Sequence, residues 1–155
     1  MQIEIDPLSD VPLYQQLRDR IVEGIAAGEL VPGDPLSSVR QLAMEFGINI
    51  ATVSKGYDLL RAEGLVRTHR ASGSVVARGP LSGRHDVQPW TPSARAGWIA
   101  RLHTMLAEAV AQGETDDDVL EAARGILTDL AAQRRTNDAK NDRTNTKNDR
   151  TKGNS

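Results

Sequence analysis

The stretch Leu36–Leu60, LSSVRQLAMEFGINIATVSKGYDLL, leaves this chain few ways to fold. Two apolar stripes of helical period stand on either side of a three-residue break, Gly47-Ile48-Asn49. Val39, Leu42, Ala43 and Phe46 fall on one face of the first segment, and Val53, Tyr57 and Leu60 on one face of the second. Ser38 with Gln41 fits a capping box, in which side chains satisfy orphan backbone donors at a helix start. Gly47 suits a left-handed C-cap because it has no Cβ to clash, and Asn49 suits the next N-cap. Gly64 ends the second helix. An ordinary pair of core helices could show the same pattern. A helix-turn-helix, whose second helix docks in a DNA major groove, is the sharper reading.

The flanks bear on that choice. Before the stretch, Leu13, Leu17, Ile21 and Ile25 recur at four-residue spacing behind Pro12, which suits a first helical turn. Gly28 is the expected stop, and residues 30–35, with two prolines and a glycine, read as a loop. The segment 2–5 reads as a short strand. After the stretch, residues 65–70 and 74–77 read as two strands around Ala71-Ser72-Gly73, a β-hairpin. Helix, helix-turn-helix and hairpin, in that order, make a winged helix. The expected fold is therefore mainly α with a small β-wing: a winged helix-turn-helix domain over 11–79, a recognition helix at about 50–62 and a wing at about 65–77.

Residues 80–92 have proline and glycine without periodicity and read as a linker. Two helices follow over 93–133. Trp98, Leu102, Met105 and Leu106 lie on the apolar side of one, and Leu120, Ala123 and Leu127 on that of the other. Between them Thr115 precedes Asp116, Asp117 and Asp118. Capping plus favourable charge at the helix dipole accounts for these carboxylates better than a metal site does. Such an αα-hairpin is too small to bury its own stripe. A second copy of the chain is the simplest cover, with Trp98, Leu102, Leu106, Leu120 and Leu127 as the dimerisation residues. From Arg134 to Ser155 there is no large apolar residue, KNDRT occurs twice, and basic groups outnumber acidic ones by seven to three. That composition reads as a disordered polar tail, either merely solvated or adding salt-dependent phosphate contacts.

Composition matters mainly for what it excludes. The chain has no cysteine, so thiolate chemistry and thiolate metal sites are out. No glycine-rich phosphate loop and no spaced nucleophile–histidine–carboxylate set is present, so no catalytic residue, cofactor or metal is expected. No apolar run is long enough for a membrane span, and the acidic N-terminus lacks a signal-peptide core. The expected location is cytoplasmic. The net charge of −2 is unusual for a DNA binder. It places the burden on local charge and keeps open a winged helix that serves protein interaction instead.

The motifs PLYQQLRDRIVEGIAAGEL, PGDPLSSVRQLAMEFGINIATVSKGYDLL and RAEGLVRTHRASGSVVA together resemble the GntR family of bacterial winged-helix transcription regulators. The C-terminal GWIARLHTMLAEAVAQGETDDDVLEAARGIL is similar to the two-helix pattern of its YtrA-like subfamily, in which that part mainly dimerises. The resemblance implies a homodimeric repressor that binds double-stranded DNA at an inverted-repeat operator. It also implies DNA contacts from Arg40, near the start of the second helix. Further contacts fall to Asn49, Ala51, Thr52, Ser54 and Lys55 around the recognition helix, and to Arg70, Ser72 and Gly73 at the wing tip. Ser38 serves as a phosphate donor, as a helix cap, or as both.

Four positions depart from the family pattern: Ser37 replaces a proline, Ala71 a wing glycine, and Ile50 and Ala51 replace polar or proline residues. Ile50 and Ala51 offer no hydrogen bond to a base, only contact with a thymine methyl. Ala71 makes a left-handed wing backbone costlier. A small apolar or cationic effector is expected at the dimer interface, near Trp90 or Trp98.

Overall fold

The computed structural model describes residues 4–80 and 90–152, with side chains as far as residue 140. Its elements are α1 (Leu13–Ala26), α2 (Val39–Phe46), α3 (Ile50–Ala62), β1 (Val66–His69), β2 (Gly73–Val76), α4 (Pro92–Ala111) and α5 (Asp116–Lys152). The expected order of three helices and a two-stranded wing is observed. The expected strand at 2–5 lies largely outside the described residues, and Glu4 to Asp6 are irregular. Most of the 80–92 segment also lies outside them.

The core forms where three stripes converge. Leu17, Ile21 and Ile25 of α1 meet Leu42 and Ala43 of α2, then Val53, Tyr57 and Leu60 of α3, with Val66 and Val76 closing the wing side. α1 and α3 approach so closely at Gly56 that a Cβ there would lie 3.0 Å from the Tyr14 carbonyl oxygen and 3.2 Å from a Leu17 methyl. Glycine inside a helix is normally a weak choice. Here it permits the crossing. The Tyr57 hydroxyl, at the end of a buried ring, donates to the Ser37 carbonyl at 2.7 Å. That bond pins α3 to the segment leading into α2. Burial pushes the Tyr57 phenol far above its ordinary range, only partly countered by the charge of Arg61.

In the wing, β1 and β2 pair antiparallel with Val66 opposite Val76 and His69 opposite Gly73. The 30–35 segment is more than a connection. Gly33 N–H donates to the Val76 carbonyl, Val76 N–H to that of Asp34, and Leu36 N–H to that of Ser74, all at 2.8–2.9 Å. It lies against β2 as a third edge. Pro35, which cannot donate, keeps it from becoming a regular strand.

The second module is α4 and α5. Thr91 caps α4, its hydroxyl oxygen accepting from Ala94 N–H. Thr115 accepts from Asp118 N–H and donates to the Asp118 carboxylate. Of the acidic triplet, Asp118 is engaged in this cap, and all three carboxylates lie in the first turn of α5. No residue of α4 is buried.

Helix α5 runs without a break past Gln133 to Lys152, through the segment whose composition reads as a polar tail. The cause at its near end is tertiary. Arg134 donates through a guanidinium nitrogen to the Ala26 carbonyl, and Asn137 through its amide to the Ala27 carbonyl, each at 2.9 Å. These carbonyls are among the last of α1, which lack partners within their own helix. Gly28 leaves room for the Arg134 backbone and stem, which lie 3.5 Å from where a Cβ would stand. Composition cannot register contacts made 108 and 110 residues away along the chain.

Candidate nucleic-acid interface

Helix α3 divides lengthwise. Val53, Gly56, Tyr57 and Leu60 are buried, whereas Ile50, Ala51 and Lys55 face solvent and Thr52 and Ser54 are half-buried. The exposed side at the N-terminal end is what a groove-binding helix offers.

Each helix of the pair is capped as its sequence predicts. Ser38 Oγ accepts from Gln41 N–H at 3.2 Å, and Asn49 Oδ1 from Ala51 N–H at 2.8 Å. Gly47 takes the left-handed conformation with φ 62°, and Ile48 N–H closes back onto the Ala43 carbonyl. Capping does not exhaust these side chains. The Ser38 hydroxyl proton and the Asn49 amide group remain able to donate. Arg40, the second residue of α2, is exposed and joins no ion pair among the described residues.

Lys55 is exposed but not idle. Its ammonium sits 3.8 Å from the centroid of the Tyr14 ring on α1, a cation–π contact. Nothing in the local sequence around either residue signals this pairing.

At the wing tip, Arg70, Ala71, Ser72 and Gly73 are exposed. The left-handed residue is Gly73, with φ 71°, and no residue other than glycine has a positive φ among the described residues. The expected strain at Ala71 is therefore absent: the turn places its left-handed step two residues later. His69 organises the turn. Its Nδ1 accepts from Ala71 N–H at 3.4 Å and lies 3.4 Å from the Ser72 hydroxyl.

The named apolar residues of the second module fall in different surroundings. Leu106, Leu120 and Leu127 are 41%, 59% and 66% exposed. Met105, Val110 and Ile126 are exposed with them. Leu102 is half-buried. Trp98 instead lines a cleft within the chain, its ring 5.3 Å from that of Trp90.

Charge links the two modules. Two guanidinium N–H groups of Arg18 converge on Glu63 Oε2 at 3.0 and 2.8 Å, and Arg101 of α4 approaches Oε1 at 3.5 Å. Burial alone would lower the Arg18 pKa, but its hydrogen bonds to Asp19 and Glu63 and their negative charge outweigh it and hold the group above its ordinary value. Glu63 is also the C-cap of α3. Periodicity marks Arg18 only as wet-side, so this link was not visible from α1 alone. Among the described residues there is no group of side chains arranged to hold a metal, and no helix is long and apolar enough to cross a membrane.

Residues 13–76 match the family model described as bacterial regulatory proteins, gntR family. The HTH-type transcriptional repressor YtrA of Bacillus subtilis is 41% identical over 75 residues, 48% of this chain and 58% of that protein. The chain thus spans less than two thirds of that relative. Among solved structures, YtrA from Sulfolobus acidocaldarius, a GntR-family transcription factor, is 36% identical with a TM-score of 0.52, covering 70% of this chain and 97% of that one. A transcriptional antiterminator from Listeria monocytogenes EGD-e shares the fold at 24% identity, with a TM-score of 0.71 over 84% of this chain and 92% of that one.

Proposed function

This chain belongs to the GntR family of bacterial regulatory proteins, and from that membership we propose that it is a homodimeric transcriptional repressor. The carrying observation is the division of α3: one face, with Val53, Gly56, Tyr57 and Leu60, is built into the core, and its N-terminal end presents Ile50, Ala51 and Lys55 to solvent. Arg40 and Lys55 supply the positive charge, and Ser38, Asn49, Thr52 and Ser54 the polar groups, for contacts in and beside the major groove. Arg70, Ser72 and Gly73 at the wing reach the adjacent minor groove.

Dimerisation by α4 and α5 is supported by the exposure of Leu106, Leu120 and Leu127. A two-fold dimer asks for an inverted repeat whose half-sites lie about one helical turn apart, or a multiple of it. A cytoplasmic location follows from this role, and no catalytic step or cofactor enters it.

Mobility shift on the chain's own promoter region, over a salt series and with competitor DNA, is the test, together with sedimentation of the free protein. A competitor-resistant, salt-dependent shift by a dimer is expected. Sedimentation as a monomer, with Leu106→Glu and Leu127→Glu leaving it unchanged, refutes the proposed interface. Absence of any competitor-resistant shift refutes the DNA reading.

A further inference from the structure

Four basic residues lie on α1 and α3: Arg18, Arg20, Lys55 and Arg61. Each arginine pairs with a carboxylate, Arg18 with Asp19 and Glu63, Arg20 with Glu23, and Arg61 with Asp58. Lys55 is the exception. It joins no ion pair among the described residues, and its ammonium lies instead 3.8 Å from the centroid of the Tyr14 ring. The two kinds of partner differ chemically. A carboxylate neutralises a cation and occupies its N–H donors. An aromatic face attracts the cation through the ring quadrupole and leaves the charge, and the donors turned away from the ring, available.

The ring has a firm base. Tyr14 is the second residue of α1 and is half-buried. Its own carbonyl oxygen stands 3.0 Å from where a Cβ on Gly56 would lie, so the residue next to Lys55 marks the close approach of α3 to α1. The helix crossing that brings Gly56 onto the Tyr14 backbone thus also brings Lys55 onto the Tyr14 ring. A lysine has a long, flexible stem and loses rotamer freedom when it binds. One already held over a ring loses less.

We propose that Tyr14 is a positioning residue for DNA binding: its ring holds the Lys55 ammonium, still charged, on the α1 side of α3, where it meets a backbone phosphate. The proposal rests on the DNA-binding reading. A lysine drawn sideways to α1 lies toward the sugar–phosphate backbone at the edge of the groove and away from the base edges. Its contribution is therefore the same on every base sequence.

The test measures binding of the full chain to DNA from its own promoter region over a salt series. The wild type is compared with Tyr14→Phe, Tyr14→Leu, Lys55→Ala and the double variant of Tyr14→Leu with Lys55→Ala. Tyr14→Leu is expected to weaken binding about two- to fivefold, the worth of an exposed cation–π contact, without changing the salt slope, because the charge remains. Tyr14→Phe keeps the ring and is expected to bind as the wild type does. Lys55→Ala lowers the slope by about one unit, and in that background Tyr14→Leu is expected to add nothing. In the free chain, the Cε protons of Lys55 are expected to resonate upfield under the ring current in the wild type and Tyr14→Phe, and at an ordinary position in Tyr14→Leu. Wild-type affinity in Tyr14→Leu, an equal loss in the Lys55→Ala background, or a loss in Tyr14→Phe overturns the proposal. Unshifted Lys55 protons in the wild type overturn it without DNA. Absence of any competitor-resistant binding by the wild type faults the DNA reading and takes the proposal with it. Binding that is weakened by Lys55→Ala but not by Tyr14→Leu faults the positioning role alone.

Discussion

The Lys55 ammonium of α3 rests 3.8 Å from the ring centroid of Tyr14 on α1. The contact joins the exposed side of α3 to the helix behind it. An exposed cation–π pair contributes about 0.5–1 kcal/mol, enough to bias a side chain but not to prevent it from turning to a phosphate. Lys55→Ala is therefore expected to lower the salt dependence of DNA binding by about one unit of log–log slope. Arg40→Ala, if it removes a base-edge contact, costs about 1–3 kcal/mol and relaxes specificity at one position. Neither should alter the dimer. Mobility shift over a salt series reads both, and wild-type binding by both variants would show that the reading face lies elsewhere.

Gly56→Ala separates intrinsic propensity from tertiary contact. On an exposed helix the change stabilises by up to about 1 kcal/mol. Against a backbone oxygen at 3.0 Å it is expected to destabilise by about 1–3 kcal/mol, because the helices must part. Urea unfolding gives the sign directly, and a stabilised variant would mean that the crossing is looser than described.

Tyr57→Phe deletes the donor to the Ser37 carbonyl and is expected to cost about 1–2 kcal/mol. The residue also makes stability depend on alkaline pH. Because burial raises the phenol pKa in the folded chain, the unfolded chain loses this proton first as pH rises past about 10. Stability is unaffected by this group below that point and falls above it, since the unfolded state then binds fewer protons. Denaturation series at pH 8 and pH 11 should show a smaller alkaline loss in Tyr57→Phe than in the parent.

The ties from α5 to α1 give a prediction for hydrogen exchange. Arg134→Ala with Asn137→Ala leaves the Ala26 and Ala27 carbonyls without these donors. Amides of residues 134–140 are expected to exchange about tenfold faster, equivalent to about 1.4 kcal/mol of lost local stability. Exchange in the α3 core should not change. Equal protection in the double variant would mean that α5 persists past residue 133 without help from α1.

Much of the interface is local chemistry and so was legible in the chain. Ser38, Gly47 and Asn49 each act within four residues of themselves, and they cap and turn the helix pair as their types require. The wing was legible as a hairpin, but not the placement of its left-handed step at Gly73, because either turn register satisfies the same residues. The 30–35 segment looked like a loop because prolines forbid a regular strand. Its docking on β2 uses the backbone groups that proline leaves intact.

The sequence by itself determined the short-range elements of the winged helix-turn-helix, through the periods of its stripes and the residue types at its caps. Only the tertiary structure decided that Lys55 rests on Tyr14, that Glu63 joins Arg18 to Arg101, and that α5 continues where composition reads a polar tail. The physical reason is separation along the chain. A cap or a turn is fixed by neighbours within one or two turns of backbone. An ion pair, a cation–π contact or a borrowed helix-end carbonyl depends on where distant segments come to rest, which no local pattern encodes.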